Sequence, residues 1–303
     1  MVRPTELSFS TLCDFYAACQ DARGHSQKAS RLRLLREKCV ERNNDELYEV
    51  YRLLLPQCDN KRGNYGLKES KLASIWSNAC GFNPKTTARG KSAVAWKASG
   101  TEGAGNFSAV MYGYLFRLTA GRQEQDQGEK DLKVGDINTK LDELAAAASA
   151  EEKTAVLQWL VQRSSARMLK WITQIILKDL KIGMSDKTIL KDFHPDAEDL
   201  YNVTMDLSTV CMELRDRNKR MPRRDVEPGR PVRSQLASAA KSPEEAFRRM
   251  KNKTFVVETK FDGAHSSALS LHWLHCQRCL LKVDWIVKHE LLNLAVSDPG
   301  IWL

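Results

Sequence analysis

The feature that most restricts this chain is the period of its apolar residues. Through the first two hundred positions they recur three, four and seven apart, the spacing of one face of a helix. Leu32, Leu35 and Cys39 form one stripe, with Arg31, Arg33 and Arg36 on other faces. Leu47, Val50 and Leu54 form the next, which Pro56 terminates. Leu72, Ile75, Trp76 and Ala79 follow, and Gly81 suits a left-handed cap after them. Residues 83–106 are rich in Gly, Ser, Thr and Ala and read as a loop, whereas Phe107 to Leu118 is an apolar run long enough for a buried helix. A polar stretch, Gly121 to Gly135, precedes a second helical set. Ser149 and Glu152 have capping-box spacing and open a helix through Val156 and Leu160. Met168, Leu169, Trp171, Ile172, Ile175, Ile176 and Leu180 predict a strong helix closed near Gly183, and Ser185 can cap a short helix after it. Leu207, Val210, Cys211 and Leu214 carry the last stripe.

Charge then changes the pattern. The chain of 303 residues carries a net charge of +9, but residues 1–210 hold 30 basic against 27 acidic side chains, while 211–260 hold 14 against 7. Arg215, Arg217, Lys219, Arg220, Arg223 and Arg224 open this basic segment, and Pro222, Pro228, Gly229 and Pro231 break any helix across it. It reads as a linker, a phosphate-contacting segment or a nuclear import signal. Beyond it, Ser242-Pro-Glu-Glu245 is a helix start with a cap and Pro at the first position. Thr254 to Lys260 is β-branched and aromatic, as a strand requires. The expected fold is mainly α: an all-helical domain over 1–214, a basic linker over 215–233, the opening of an α/β segment over 234–263, and a tail over 264–303. At 42% hydrophobic residues a core is possible and wholesale disorder is excluded. No run approaches the ~18 to 20 apolar residues of a membrane helix. Met1 to Ser10 lacks the pattern of a secretory signal. The eight cysteines are scattered, as expected of reduced thiols in cytosol or nucleus.

The sharpest motif is Glu258-Thr-Lys-Phe-Asp-Gly263 at the end of the expected strand. A lysine there suits nucleophilic attack on phosphorus, because burial beside a pocket lowers its pKa. The plainer reading is a surface lysine before an Asp-Gly turn. In the helical part, Lys178, Lys181 and Lys187 flank the Gly183 turn, and the helix starting at Ser185 could hold phosphate at its N-terminus; an ordinary helix-turn-helix surface is the alternative.

Glu-x-Lys-x-Asp-Gly resembles the nucleotidyltransferase motif of ATP-dependent DNA ligases, normally Lys-x-Asp-Gly-x-Arg. Ile175-Ile-Leu-Lys-Asp-Leu-Lys-Ile-Gly-Met-Ser185 resembles the signature of their helical DNA-binding domain. Leu54-Leu-Pro56 with Tyr65-Gly-Leu-Lys-Glu69, and Phe193-His-Pro-Asp-Ala197 with Tyr201-Asn-Val-Thr204, are similar to the ligase IV branch. Gly229-Arg-Pro-Val-Arg233 with Leu236-Ala237 resembles the loop before the ligase core, with Ser234-Gln235 replacing the usual Pro-Met.

The resemblance implies that Lys260 attacks the α-phosphate of ATP and expels pyrophosphate to form a lysyl-AMP, with Mg²⁺ offsetting phosphate charge. Glu258 and Thr259 would contact the adenine, Phe261 would line the pocket, and Asp262 would position the lysine or the ribose. AMP then passes to a 5′-phosphate at a break, and the neighbouring 3′-hydroxyl attacks that phosphate and displaces the AMP, as in nuclear non-homologous end joining. Lys178, Lys181, Lys187, Arg217, Arg220 and Arg223 would contact duplex DNA carrying nicks or breaks. Two departures matter. His265 stands where the family has an arginine, and after Gly263 the resemblance stops, so later core motifs, the OB-fold and the C-terminal repeats are not matched. The expectations are a C-terminally truncated ligase with an unmatched tail over 264–303, no complex with the scaffold partner of ligase IV, and a choice between an enzyme and a non-catalytic DNA-binding fragment. His272, His275, Cys276 and Cys279 cluster in that tail, but a zinc site is not expected from them. Gly90-Lys-Ser92 fails as a P-loop, because position 85 is Lys and no strand precedes it.

Overall fold

The computed structural model describes residues 3–39, 47–83, 85, 107–113, 115, 132–222, 233 and 242–250. The described residues are helical, with no strand among them, in agreement with the mainly α expectation. A single 3-10 turn, Pro4–Glu6, precedes α1 (Phe9–Asp21), α2 (His25–Lys38), α3 (Leu47–Leu54) and α4 (Glu69–Ala79). Then come α5 (Val134–Ala146), α6 (Ala150–Arg163), α7 (Ala166–Ile176), α8 (Asp186–Phe193), α9 (Ala197–Thr204), α10 (Leu207–Glu213) and α11 (Pro243–Met250). Residues 107–113 are also helical. The chain divides into two compact units, one running through Arg223 apart from 202–204, the other taking those three residues and the chain from Arg224 on.

The local signals act as the sequence expects. The Glu152 N–H donates to Ser149 Oγ at 3.1 Å while its carboxylate accepts from the Ser149 and Ala148 N–H groups, so the capping box at α6 is complete. Gly81 takes φ +81° after α4. Ser185 caps α8 and Ser242 caps α11. The expected stripes face inward: Leu32, Leu35, Leu72, Trp76, Leu207, Val210 and Cys211 are all buried. Tyr16 of α1 and Trp171 of α7, both fully buried, meet at 4.9 Å between ring centroids, and Tyr16 donates its hydroxyl to Leu53 O at 2.9 Å. That one side chain therefore joins α1, α7 and α3. α4 packs on α6, and α5 packs on both α6 and α3.

Two findings correct the sequence reading. Val134, Ile137, Leu141 and Leu144 form the buried face of α5, a helix not anticipated because the polar residues before it read as a spacer. The stripe through Leu180 does not give one helix: α7 stops at Ile176, and Leu180 is buried from a loop instead.

Charge is buried as well. Arg52 donates from Nε to Asp59 (2.9 Å) and through both Nη atoms to Asp142 (2.8 and 3.0 Å). Arg62 donates to Asp142 (2.7 Å) and to the Asn138 side-chain oxygen (2.7 Å). Asn138 in turn donates to Glu49, and Tyr48 donates to Asp59 at 2.7 Å. Side chains of Arg62 and Asp59 are each 2% exposed. The network ties α3, the turn after it and α5. Burial raises the Glu49 carboxyl above its ordinary range, with Arg52 opposing. Removing one partner strands the others away from water, so Arg52→Ala is expected to cost about 3 kcal/mol or more in urea unfolding. A loss below about 1 kcal/mol would mean that the network is dispensable.

Candidate nucleic-acid interface

α7 closes in a Schellman arrangement. The Lys178 N–H donates to Ile175 O and the Asp179 N–H to Gln174 O, both at 3.0 Å. The left-handed position of that motif normally belongs to glycine, but here Lys178 occupies it with φ +56°. Lys181 is also left-handed at φ +51°, and Gly183 follows at +67°. Left-handed backbone costs a non-glycine residue about 1–2 kcal/mol, so surrounding contacts must hold the loop in place. Burial of Leu180 and Ile182 is one such contact. Lys178, before these buried side chains, is half-buried, and Lys181, between them, is exposed. Together with Leu54, Gln57, Gly183 and Met184 they line a cavity of about 350 Å³.

Polar contacts from α1 and α2 secure the loop's other side. Gln20 Nε2 donates to Lys181 O at 3.2 Å. Lys28 Nζ donates to both Ile182 O and Gly183 O at 3.1 Å. Further along α2, Arg36 donates to Asp192 O at 2.9 Å, near the end of α8. α2 thus splints the α7–α8 unit at two points through main-chain carbonyls. Sequence reading placed Arg31, Arg33 and Arg36 on faces other than the apolar stripe and gave no role to Lys28, because contacts to carbonyls 154 to 156 residues away leave no local pattern.

The expected phosphate contacts differ in how they are engaged. Among the described residues the Lys181 ammonium has only an exposed ion pair with Asp179 at 3.5 Å, which salt screens. Lys187, in the first turn of α8, lies 2.9 Å from Glu198, which Lys191 approaches at 3.5 Å. Arg220 is held by both oxygens of Asp196, at 2.5 and 3.0 Å, and Asp196 also accepts from the Met221 N–H. Buried His194 accepts from the Asp196 N–H through Nδ1, which leaves Nε2–H to donate to Lys219 O at 3.2 Å. His194 and Asp196 therefore dock the start of the basic segment. Arg217 has no ion-pair partner among the described residues and, with Arg36 and Arg215, lines a second cavity of about 400 Å³. The structure thus brings Lys178 and Lys181 to one cavity and Arg217 to another. Arg223, the motif residues Glu258, Thr259, Lys260, Phe261 and Asp262, the expected strand and the His/Cys cluster of the tail lie outside the described residues, as does Gly90-Lys-Ser92. The ATP and Mg²⁺ expectations fall on those residues. Among the described residues, no cluster of three or more His, Cys, Asp or Glu is arranged to hold a metal ion, and no helix is long and apolar enough to cross a membrane.

The family model described as DNA ligase N terminus matches residues 8–194. DNA ligase 4 of Arabidopsis thaliana is 36% identical over 307 residues, which cover 97% of this chain and 24% of that protein. DNA ligase 4 of Homo sapiens is 30% identical over 274 residues, 86% of this chain and 29% of that protein. DNA ligase 4 of Yarrowia lipolytica is 33% identical over 229 residues, 74% of this chain and 23% of that protein. The chain spans about a quarter of the length of these curated relatives.

Two outcomes follow from the geometry. A Cβ at position 183 would be left-handed and would collide with the Lys28 ammonium, so Gly183→Ala should cost about 1 kcal/mol or more in chemical denaturation, whereas Gly24→Ala meets open space. The Arg220 guanidinium, followed by the Met221 N–H, holds the Asp196 carboxyl below its ordinary 3.8. A depressed folded-state pKa stabilises above 3.8, and that contribution is lost as pH falls through the folded value. The stability difference between the protein and Asp196→Asn should therefore be full near neutrality and vanish at the acid end of a pH series of unfolding curves.

Proposed function

This chain belongs to the DNA ligase N-terminus family, and from that premise we propose that it is the DNA-binding part of a ligase IV-like, ATP-dependent DNA ligase that joins breaks in duplex DNA. The observation that carries the reading is the loop after α7, where strained backbone presents Lys178 and Lys181 while Leu180 and Ile182 anchor it. Such a surface suits phosphates and carries no means of reading base sequence, as an enzyme acting at any break requires. Residues 1–214 form the helical DNA-binding domain, 215–233 the basic linker, and 234–263 the start of the nucleotidyltransferase domain. Lys187, Arg217, Arg220 and Arg223 extend the phosphate contacts, with Arg220 exchanging Asp196 for DNA.

In the catalytic part, Lys260 is the nucleophile toward the α-phosphate of ATP. Glu258 and Thr259 hold the adenine, Phe261 packs against the nucleotide, and Asp262 orients the lysine or ribose. Mg²⁺ offsets the charge on the phosphates. The biological setting that fits is break repair by non-homologous end joining in the nucleus.

Binding of a nicked duplex over a salt series tests the DNA reading. Affinity should fall steeply with salt, and the slope for Lys178→Gln/Lys181→Gln should be shallower by roughly 2, at about 0.9 per phosphate contact. A flat salt response removes the idea. Incubation with labelled ATP tests the chemistry separately: an acid-labile AMP adduct that survives denaturation and is lost in Lys260→Ala supports the ligase. Absence of the adduct with DNA binding intact favours a non-catalytic DNA-binding fragment.

A further inference from the structure

We propose that residues 215–221 form a fixed strap on the helical unit, clasped by His194 and Asp196, so that the connection to the nucleotidyltransferase segment starts at Pro222 and not at Arg215. The strap stands on contacts within the helical unit. Its use as the origin of that connection rests on the ligase reading, and makes His194 and Asp196 positioning residues that touch no substrate.

Exposure and charge make this segment look like linker, because every side chain from Arg215 to Arg220 is exposed. The main chain is engaged instead. Leu214, 2% exposed, anchors the strap where α10 ends. Asp216 then turns the chain: its Oδ1 accepts the Asn218 N–H at 3.0 Å, and its carbonyl accepts the Lys219 N–H at 3.1 Å. The turn lays the next residues on the segment between α8 and α9. There the fully buried His194 ring has its tautomer set by the Asp196 N–H, so Nε2–H meets Lys219 O at 3.2 Å. Asp196 accepts the Met221 N–H at 3.0 Å through the same oxygen that takes Arg220 Nε. The Asp196 side chain is 13% exposed against 70% for Arg220, so the clasp is built into the helical unit and the strap lies on it from outside. Pro222 has no N–H, and the donors of the strap end there. The division of the chain into compact units likewise keeps 215–221 with the helices. Taking these residues out of the connection shortens its greatest span by about 25 Å, at ~3.3–3.6 Å per residue.

Trypsin cuts extended chain, so the rate of cleavage after Arg217 reports how often the strap is off. Short digests of the full chain followed by mass spectrometry should find that cut slow. Asp196→Asn removes the charge from both acceptor oxygens and should accelerate it about tenfold or more, the scale of one charge-assisted hydrogen bond. Arg220→Gln removes only the exposed ion pair and should accelerate it about twofold to fivefold. Cuts after Lys178 and Lys181 report the fold of the unit and should keep their rates. A cut after Arg217 that neither substitution accelerates would overturn the strap. If Asp196→Asn speeds the cuts after Lys178 and Lys181 too, it has loosened the whole unit and Arg220→Gln decides: acceleration after Arg217 alone upholds the strap, and none overturns it. A strap that behaves as expected in a chain that forms no AMP adduct and binds no duplex would stand while the ligase reading falls.

Discussion

Two arginines removed from water, Arg52 and Arg62, set the frame on which the rest of the helical unit is placed. Their desolvation consumes most of the Coulombic gain from Asp59 and Asp142, so the network contributes little net stability compared with an apolar core. What it imposes is geometry. A guanidinium satisfied by three carboxylate oxygens cannot slide by a helical turn without stranding charge, so α3 and α5 have one register. Tyr16 adds a second constraint by donating to Leu53 O while its ring packs on Trp171. α3 is thereby fixed to both α5 and α7, and Leu54 at its end reaches the cavity beneath the lysine-bearing loop.

That loop is the place where local preference is violated. Lys178 and Lys181 take backbone that glycine prefers, and the cost is offset by burial of Leu180 and Ile182 and by donors from Gln20 and Lys28. Strain held by contacts from two other helices is what a surface needs if it must keep donors aimed outward before any ligand arrives. The basic segment is treated similarly at its start, where His194 and Asp196 grip residues 219–221.

Legibility in the sequence followed the range of each interaction. Capping boxes, the Gly81 cap and the stripes of α2, α3, α4 and α10 are local and were readable. The α7 stripe was overextended because Leu180 is buried in either arrangement, and only the left-handed Lys178 decides between them. α5 had a readable stripe at Val134, Ile137, Leu141 and Leu144, masked by the polar run before it. The links of the arginine network to α5 and the Lys28 contacts were not readable, since they pair residues 76 to 155 positions apart with no periodic signal. For the candidate site, resemblance pointed to the segment 175–185, and the lysines there do share a cavity. Nothing in the residue order separated Arg217, which is unpaired among the described residues, from Arg220, which Asp196 holds.

The central claim is that DNA phosphates are taken by the loop after α7. Amide hydrogen exchange of the full chain with and without a saturating nicked duplex measures this directly. The account predicts slowed exchange over 179–187 and over 214–222, with α5 and α6 unchanged. Saturated binding that leaves 179–187 exchanging at its original rate, or that protects α5 and α6 instead, would contradict it.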